Sequence, residues 1–178
     1  VEVLHTAKAA EAMGIKFASP KINIDAVRAW KSEVVDKLSS GLDSLAKKHG
    51  VEKITGTAKF EDDKHVVLQG GDVKRIKFRR AVIATGSRSI NLRGVQIESP
   101  HVWTSRTALE LPSIPKTLLI VGGGYIGLEL GQVYAALGSK VTVVEMTAGL
   151  LPGVDKDLAR PLLKRLEEDF AAICLETK

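Results

Sequence analysis

Cysteine is nearly absent from this sequence of 178 residues, whose single cysteine is Cys174. One thiol excludes a disulfide within the chain and any metal or redox site that needs two thiols from it. So little cysteine is typical of a reducing compartment, where thiols persist unoxidised. Cys174 itself lies in the apolar run AAICLE, which indicates an ordinary small core residue.

Long apolar runs are missing as well. No run approaches the roughly 20 residues that a membrane-spanning helix needs, so we expect no membrane span. The sequence starts at Val1 without a basic and apolar leader, and no secretory or transit segment is predicted. A start without methionine is expected of a piece of a longer chain.

Groups suited to metal binding or nucleophilic catalysis are few and scattered. The four histidines stand at positions 5, 49, 65 and 101, and no two of them have the spacing of metal ligands on one helix. No acid-His-Ser set is recognisable in the sequence. We therefore predict no metal site, and any redox chemistry must come from bound cofactors.

The formal charge of +5 is unevenly distributed, because the basic excess lies in residues 1–80. The densest basic run, residues 74–80, alternates with Ile76 and Phe78, which predicts a half-exposed strand with a charged face. We expect no nucleic-acid partner. The alternative, nucleic-acid binding by this basic part, predicts an affinity that falls steeply with salt.

The first 50 residues have the pattern of two helices. Residues 1–13 predict the end of a helix that stops at Gly14. Asp25 predicts the cap of a long helix that runs to about His49 and ends at Gly50. Its apolar positions, of which Trp30 is expected in a core or an interface, are Val27, Trp30, Val34, Leu38, Leu42 and Leu45.

Residues 51–84 change to an alternating pattern with turn signals at residues 62–63 and 70–71, which predicts a small antiparallel meander. AVIATG, residues 81–86, is a continuous apolar run that predicts a buried strand ending at Gly86. A connecting stretch with Gly94 follows, and a short helix is expected at about residues 105–111.

From Lys116 the pattern alternates strand, helix, strand, helix and strand, which predicts a parallel sheet with right-handed crossovers. Pro161 falls inside the second of these helices. Since proline removes a helical hydrogen bond, we expect either a kink or a helix that starts later than Asp155.

The sequence GGGYIG directly follows the first of these strands and opens the next helix, in the form GxGxxG. Gly122 permits the tight turn, Gly124 lets a pyrophosphate approach the backbone, and Gly127 lets the helix pack closely on the strand. The helix N-terminus adds free N–H groups and a partial positive charge. The motif predicts a dinucleotide site; the alternative is a tight turn without a ligand.

Glu145 ends the next strand, about 20 residues beyond the motif. A carboxylate at that place accepts hydrogen bonds from both hydroxyls of the adenosine ribose and repels the 2′-phosphate of NADP. The sequence therefore favours NAD. Glu129 stands in an otherwise apolar stretch of the helix, where it needs a partner if buried and is otherwise solvent-facing.

AVIATGSR (81–88) and LLIVGGGYIGLELGQVYAALGSKVTVVE (118–145) resemble the flavin-dependent pyridine nucleotide–disulfide oxidoreductases, over essentially the whole chain. The helix at 25–49 is most similar to the branch that oxidises dihydrolipoamide. The resemblance implies FAD and NAD as cofactors, with electrons passing from dihydrolipoamide through a disulfide and FAD to NAD. Alternatives are another FAD/NAD(P) disulfide reductase of this family and a redox-inactive dinucleotide-binding module.

The resemblance also implies roles for individual residues. Thr85, Gly86 and Ser87 would lie along the FAD, and the backbone of Ala58 would contact its adenine. The NAD pyrophosphate would be held by the motif residues, which are Gly122, Gly123, Gly124, Tyr125, Ile126 and Gly127. Glu145 would bind the adenosine ribose. Tyr125 would cover the flavin ring until the nicotinamide displaces it, with the Glu129 carboxylate nearby.

Other family features have no counterpart in this sequence, namely the FAD-binding GxGxxG, the CxxxxC redox pair and the His-Glu acid–base pair. We therefore expect an α/β internal fragment with no catalytic residue of its own. Residues 1–115 would be part of a Rossmann-like FAD domain with an antiparallel meander. Residues 116–178 would be the first βαβαβ half of an NAD domain. Alone, the fragment is expected to be inactive and poorly stable.

For the complete enzyme the resemblance implies a homodimer. Its partner would be the lipoyl group of a 2-oxo-acid dehydrogenase complex. Its location would be the bacterial cytoplasm or the mitochondrial matrix. The sequence leaves open which 2-oxo acid that complex uses.

Overall fold

The computed structural model describes residues 1–90 and 98–178. These residues form two compact units, one made of Val1–Arg28 with Ser89–Lys178 and the other of Ala29–Arg88. Gly94 lies outside the described residues. The domain boundary expected at residue 115 stays a prediction.

The N-terminal helices agree with the sequence pattern. Helix α1, Glu2–Ala9, continues into a single 3-10 turn, Ala10–Met13, which ends at Gly14 as predicted. Helix α2 is Ile24–Lys48. The cap predicted at Asp25 is wrong: Asn23 accepts the N–H of Ala26 through its side-chain oxygen at 3.1 Å.

The cap differs because the helix starts two residues earlier than a cap at Asp25 implies. Asn23 therefore stands in front of the first turn, where a side-chain oxygen can reach a free amide. Asp25 lies within that turn and forms an ion pair with Arg28 instead. A carboxylate in the first turn remains favourable, since it lies near the positive end of the helix dipole.

The apolar face of α2 is exposed over most of its length. Trp30 does not lie in a core of the described residues, because 68% of its surface is exposed. The core position expected for it is therefore wrong. A 3.6-residue period identifies the apolar face of a helix but not what packs against that face. The other exposed members of the stripe are Val34, Leu38, Leu42 and Leu45.

The predicted meander is confirmed. Strands β1 (Thr57–Phe60), β2 (His65–Gln69) and β3 (Arg75–Lys77) form an antiparallel sheet in the order β1-β2-β3. The charged face of β3 is also confirmed, because Ile76 is half-buried between two exposed basic residues.

The buried strand predicted for residues 81–86 is wrong. This segment is irregular, with Val82 92% exposed and Ile83 71% exposed. A strand needs a neighbour for its backbone hydrogen bonds, and neither three-stranded sheet of the described residues includes this segment. Gly86 has a φ of 75°, a turn conformation that favours glycine.

The strand and helix alternation predicted from Lys116 is confirmed. Strands β4 (Thr117–Val121), β5 (Lys140–Val144) and β6 (Ala172–Cys174) form a parallel sheet in the order β4-β5-β6. A short helix, α3 (Ser105–Leu109), precedes the sheet, as expected. The connecting helices are α4 (Tyr125–Ala136) and α5 (Lys156–Asp169).

Helix α5 starts at Lys156, directly after Asp155. It contains Pro161, so its start is not displaced beyond the proline. Strand β6 carries Cys174, which is half-buried with a free thiol. Among the helices that the structure describes, none has the length and apolar character needed to cross a membrane.

The unit that contains the parallel sheet has its core where α4 and α5 pack on one face of that sheet. Its fully buried members include Leu128, Val141, Val143 and Leu166. Tyr134 is also fully buried, and its hydroxyl donates to the carbonyl of Ala108 at 2.8 Å. Burial raises the pKa of Tyr134. The opposite face of the sheet is open, with Leu119 and Val121 exposed.

Candidate dinucleotide site

The turn between β4 and α4 is fixed to the neighbouring strand. The amide of Gly122 donates to the carbonyl of Val144 at 2.8 Å. The φ of Gly122 is 106°, a conformation that would strain any other residue. Gly124 then caps α4 with an extended backbone, and no side chain occupies the cap. The first amides of α4 are therefore available to an anion at this end of the helix.

The glycines of the motif differ in the space around them. A Cβ atom on Gly127 would meet the carbonyl oxygen of Gly122 at 2.8 Å and Cγ2 of Ile120 at 3.0 Å. A Cβ on Gly124 would meet nothing within 4 Å. Gly127 thus allows α4 to pack on β4, whereas Gly124 lines open space at the helix end. In the GxGxxG pattern, the middle glycine is the one that a pyrophosphate approaches and the last is the one that packs the helix on the strand.

The carboxylate of Glu145 is buried at the end of β5 and is held by three donors. The amide of Gly123 donates to Oε2 at 2.6 Å. The amide and the hydroxyl of Thr147 both lie 2.8 Å from Oε1. Only 7% of the residue surface is exposed, so these bonds replace most of its hydration.

These donors also set the charge of Glu145. The Gly123 amide, followed by the Thr147 amide, lowers the pKa of the carboxyl group, and burial opposes them with a smaller effect. A carboxylate that accepts several N–H bonds stays ionised to lower pH than a solvated one. Glu145 therefore carries a negative charge at neutral pH.

Sequence reasoning missed Thr147 and the loop that follows it. Leu150 packs against Gly123, and the amide of Leu151 donates to the carbonyl of Gly123 at 2.8 Å. The loop thus covers the second glycine of the motif. The available signal was a threonine two residues beyond an acidic strand end, a spacing at which a hydroxyl can bond back to the preceding residue.

Three other predicted residues lie on the first turns of α4. Tyr125 is 67% exposed and Ile126 is 45% exposed. Glu129 is also exposed. Of the two interpretations of this side chain, buried with a partner or solvent-facing, the described structure supports the second. Tyr125 and Ile126 are the first two residues of α4, and Glu129 lies about one turn further along the helix.

The residues predicted to contact FAD belong to the other compact unit. Ala58 lies in β1, paired with Leu68, and its surface is exposed. Thr85, Gly86 and Ser87 lie on exposed irregular backbone. Their assignment to FAD rests on the resemblance of the sequence, and it stays a prediction.

One group of possible metal ligands occurs in the described residues, made of Glu61, Asp62 and His65. Its members are already paired. Asp62 bonds the ring of His65 at 2.9 Å, and the Lys64 amide and that ring lower the pKa of Asp62. Glu61 forms an ion pair with Arg75 at 2.6 Å. These contacts account for the cluster without a metal ion.

The strand, glycine turn and helix, followed by an acidic strand end, have the pattern of a nucleotide-binding βαβ unit. The family described as pyridine nucleotide-disulphide oxidoreductase matches residues 2–177. The chain belongs to this family.

Individual relatives agree with the family assignment. The chain is 46% identical over 168 residues to a dihydrolipoyl dehydrogenase from Haloferax volcanii, covering 92% of this chain and 35% of that protein. It is 42% identical over 178 residues to a dihydrolipoyl dehydrogenase from Vibrio parahaemolyticus, covering 99% and 37%. The chain thus spans little more than a third of these relatives.

A solved structure has the same architecture. The HOCl-induced flavoprotein disulfide reductase RclA from Escherichia coli matches with a TM-score of 0.76 and 27% identity, covering 99% of this chain and 38% of that one. The α/β, Rossmann-like fold predicted from the sequence is therefore confirmed.

Proposed function

We propose that this chain is the part of a flavin-dependent dihydrolipoamide dehydrogenase that binds NAD through its adenosine and pyrophosphate groups. When bound, NAD would serve that enzyme as its hydride acceptor. The chain's own residues bind and orient the dinucleotide. The observation that carries the proposal is the hydrogen bond from Gly123 to Glu145, which places an ionised acidic side chain beside the glycine turn.

The pyrophosphate would bind at the N-terminus of α4. The uncapped amides there and the helix dipole favour an anion, and the open space at Gly124 lets phosphate oxygens approach the backbone. The neighbouring Gly122, Gly123, Ile126 and Gly127 shape the turn and the start of the helix. Tyr125 and Glu129 are proposed to face the flavin and nicotinamide end of the complete site.

The adenosine ribose would bind to Glu145. The Gly123 amide donates to Oε2, and the amide and the hydroxyl of Thr147 reach Oε1. A ribose hydroxyl would donate to Oε2, which accepts one of these three bonds. Because the carboxylate is ionised, it would repel the 2′-phosphate of NADP. The geometry therefore supports NAD as the dinucleotide.

Further features of the proposal concern the complete enzyme. FAD would be bound in part by Ala58, Thr85, Gly86 and Ser87, and a redox-active disulfide from elsewhere in the enzyme would receive electrons. The lipoyl group of a 2-oxo-acid dehydrogenase complex would be the partner, and a homodimer the working assembly. The bacterial and archaeal sources of the two relatives favour the cytoplasm over the mitochondrial matrix as the location.

The test is equilibrium binding of NAD and NADP to the FAD-loaded protein that carries these residues. Glu145→Gln keeps the side-chain volume and removes the charge. We expect the Kd for NAD to rise about tenfold or more, the effect of losing a hydrogen bond to a charged group. The preference for NAD over NADP should fall at the same time, while the bound flavin absorbance stays unchanged.

Glu167→Gln is the matched control, because Glu167 is an exposed carboxylate on α5. This change should leave both dissociation constants as they are. An unchanged Kd for NAD in Glu145→Gln would contradict the assignment of the ribose to Glu145.

A second candidate is another disulfide reductase of the same family, which the likeness to RclA favours. The two candidates differ in what reduces the enzyme. Dihydrolipoamide should bleach the flavin absorbance under anaerobic conditions if the first proposal holds. A flavin that dihydrolipoamide leaves oxidised, but that NADH reduces, would favour the second.

A further inference from the structure

Thr147 is joined to Glu145 by two hydrogen bonds. Its amide and its hydroxyl both reach Oε1 of the carboxylate, at 2.8 Å each. The same hydroxyl oxygen lies 2.8 Å from the carbonyl of Gly149. One hydroxyl proton is thus shared between the carboxylate and the loop carbonyl, which links the two.

The backbone of Thr147 is fixed independently of its hydroxyl. The carbonyl of Thr147 accepts the amide of Glu176 at 3.0 Å, and the carbonyl of Glu145 accepts the amide of Thr177 at 2.9 Å. The loop is also tied to the glycine turn through the amide of Leu151. Loss of the hydroxyl therefore removes one bond to the carboxylate and the bond to the Gly149 carbonyl, while these backbone bonds remain.

We propose that Thr147 is a positioning residue for NAD, which holds Oε1 of Glu145 so that Oε2 can accept a hydrogen bond from the adenosine ribose. This inference rests on the proposed function. Thr147 acts through Glu145 and need not touch the dinucleotide. The clamp fixes the carboxylate in one orientation before the ligand arrives, so less conformational freedom is lost on binding.

The clamp also supports the ionised form of Glu145, since the Thr147 donors lower the pKa of that carboxyl group. A threonine here therefore serves two needs of ribose recognition, orientation and charge. Valine has nearly the same shape but lacks the hydroxyl, and serine retains the hydroxyl. The two substitutions separate the hydrogen bond from the volume of the side chain.

The experiment measures the Kd of the FAD-loaded protein for two probes, NAD and the analogue whose adenosine ribose lacks the 2′-hydroxyl. Thr147→Val should raise the Kd for NAD roughly 3- to 10-fold, as for the loss of one hydrogen bond. With the deoxy analogue, the same substitution should raise the Kd by less than about twofold. The analogue lacks a hydroxyl that would donate a hydrogen bond to the carboxylate, so the orientation of the carboxylate matters less. Thr147→Ser should restore wild-type affinity for NAD.

Thr142→Val, in the middle of β5, is the matched control and should change neither Kd. An equal penalty for both probes would show a general effect on the loop and overturn the proposal, as would an unchanged Kd for NAD. If Thr147→Val does not load FAD, Thr147→Ala takes its place under the same criteria.

The outcome also separates this inference from the function on which it rests. If Glu145→Gln binds NAD as tightly as the wild type, the proposed ribose site fails and Thr147 has nothing to position. If Glu145→Gln loses affinity while Thr147→Val behaves like the wild type, the positioning role alone fails. In a double variant with Glu145→Gln, Thr147→Val should add little further loss.

Discussion

The amide of Gly123 and the carboxylate of Glu145 are joined by a hydrogen bond of 2.6 Å between a glycine turn and the end of the next strand. The bond ties the turn after β4 to the end of β5. It also couples the fold to the charge of the site, because the same contact that fixes the turn keeps the carboxylate ionised. Conditions that protonate Glu145 should therefore weaken both the turn and its affinity for a ribose.

The first prediction concerns pH. The pKa of Glu145 is lower in the folded chain than in the unfolded one. Its contribution to the free energy of unfolding is therefore complete above the ordinary carboxyl pKa of about 4.3 and is lost as the pH falls through the lower, folded value. Thermal unfolding between pH 6 and pH 3 should show this loss in the wild type and a shallower dependence in Glu145→Gln.

The glutamine variant should also be less stable at neutral pH, by about 1–3 kcal/mol. The glutamine amide has an oxygen at only one of the two positions that Oε1 and Oε2 occupy, and a nitrogen that donates at the other. It can therefore accept from Gly123 or from Thr147 but not from both. Glu167→Gln again serves as the control. Equal pH dependence in the two variants would contradict the coupling.

The second prediction contrasts two glycines of the same motif. Gly127→Ala should lower the free energy of unfolding by about 1–3 kcal/mol, because the added carbon would lie 2.8 Å from a backbone oxygen that cannot move aside. Gly124→Ala meets open space and should cost less than about 1 kcal/mol, yet it should weaken NAD binding. Denaturant unfolding and NAD titration of both variants check the contrast. Similar stability losses would refute it.

The third prediction concerns the buried tyrosine. Tyr134→Phe removes the donor to the carbonyl of Ala108 and leaves that oxygen without this partner inside the protein. We expect a loss of about 1–3 kcal/mol in the free energy of unfolding. Tyr125→Phe is the control for stability, since Tyr125 is largely exposed, and its effect should stay within about 0.5 kcal/mol. A loss of equal size in both would count against the hydrogen bond.

The fourth prediction concerns the two tryptophans in the isolated 178-residue chain. Trp30 is 68% exposed, whereas Trp103 is half-buried against Tyr134 and donates to the carbonyl of Pro100 at 2.8 Å. Iodide should therefore quench the fluorescence of Trp30 more strongly than that of Trp103. Trp30→Phe should abolish most of the quenchable emission, and Trp103→Phe should leave it. The reverse pattern would show that the α2 stripe is covered.

The parallel sheet could be predicted from the sequence because each of its signals is local. Apolar runs of five residues, a glycine turn and an amphipathic helix follow one another from Lys116, and each strand finds its partner within the same segment. The meander was predictable for the same reason, since its strands are joined by short turns.

Segments whose partners are not local could not be assigned correctly. Residues 81–86 form an apolar run like β4, yet the described part of the chain gives them no neighbouring strand and leaves Val82 and Ile83 exposed. The stripe on α2 is likewise apolar without being buried. An apolar pattern identifies a face that can be buried. Whether that face is buried depends on the segment that packs on it, which the pattern does not identify.

At the candidate site, sequence reasoning found the residues that a motif marks and missed Thr147. Gly122, Gly124 and Gly127 have the conformations and spacing that their pattern implies. Thr147 has no motif, and its relation to Glu145 depends on how the loop turns after β5. The packing of Leu150 on Gly123 was equally invisible, because it joins residues from two different turns.

The hydrogen bond between Gly123 and Glu145 joins residues that are 22 positions apart and lie just beyond the ends of β4 and β5. Parallel strand pairing of this kind forms slowly, because the connecting segment must close a loop before the strands gain their contacts. We therefore expect the Glu145 carboxylate to take its final orientation together with the parallel sheet and not before it.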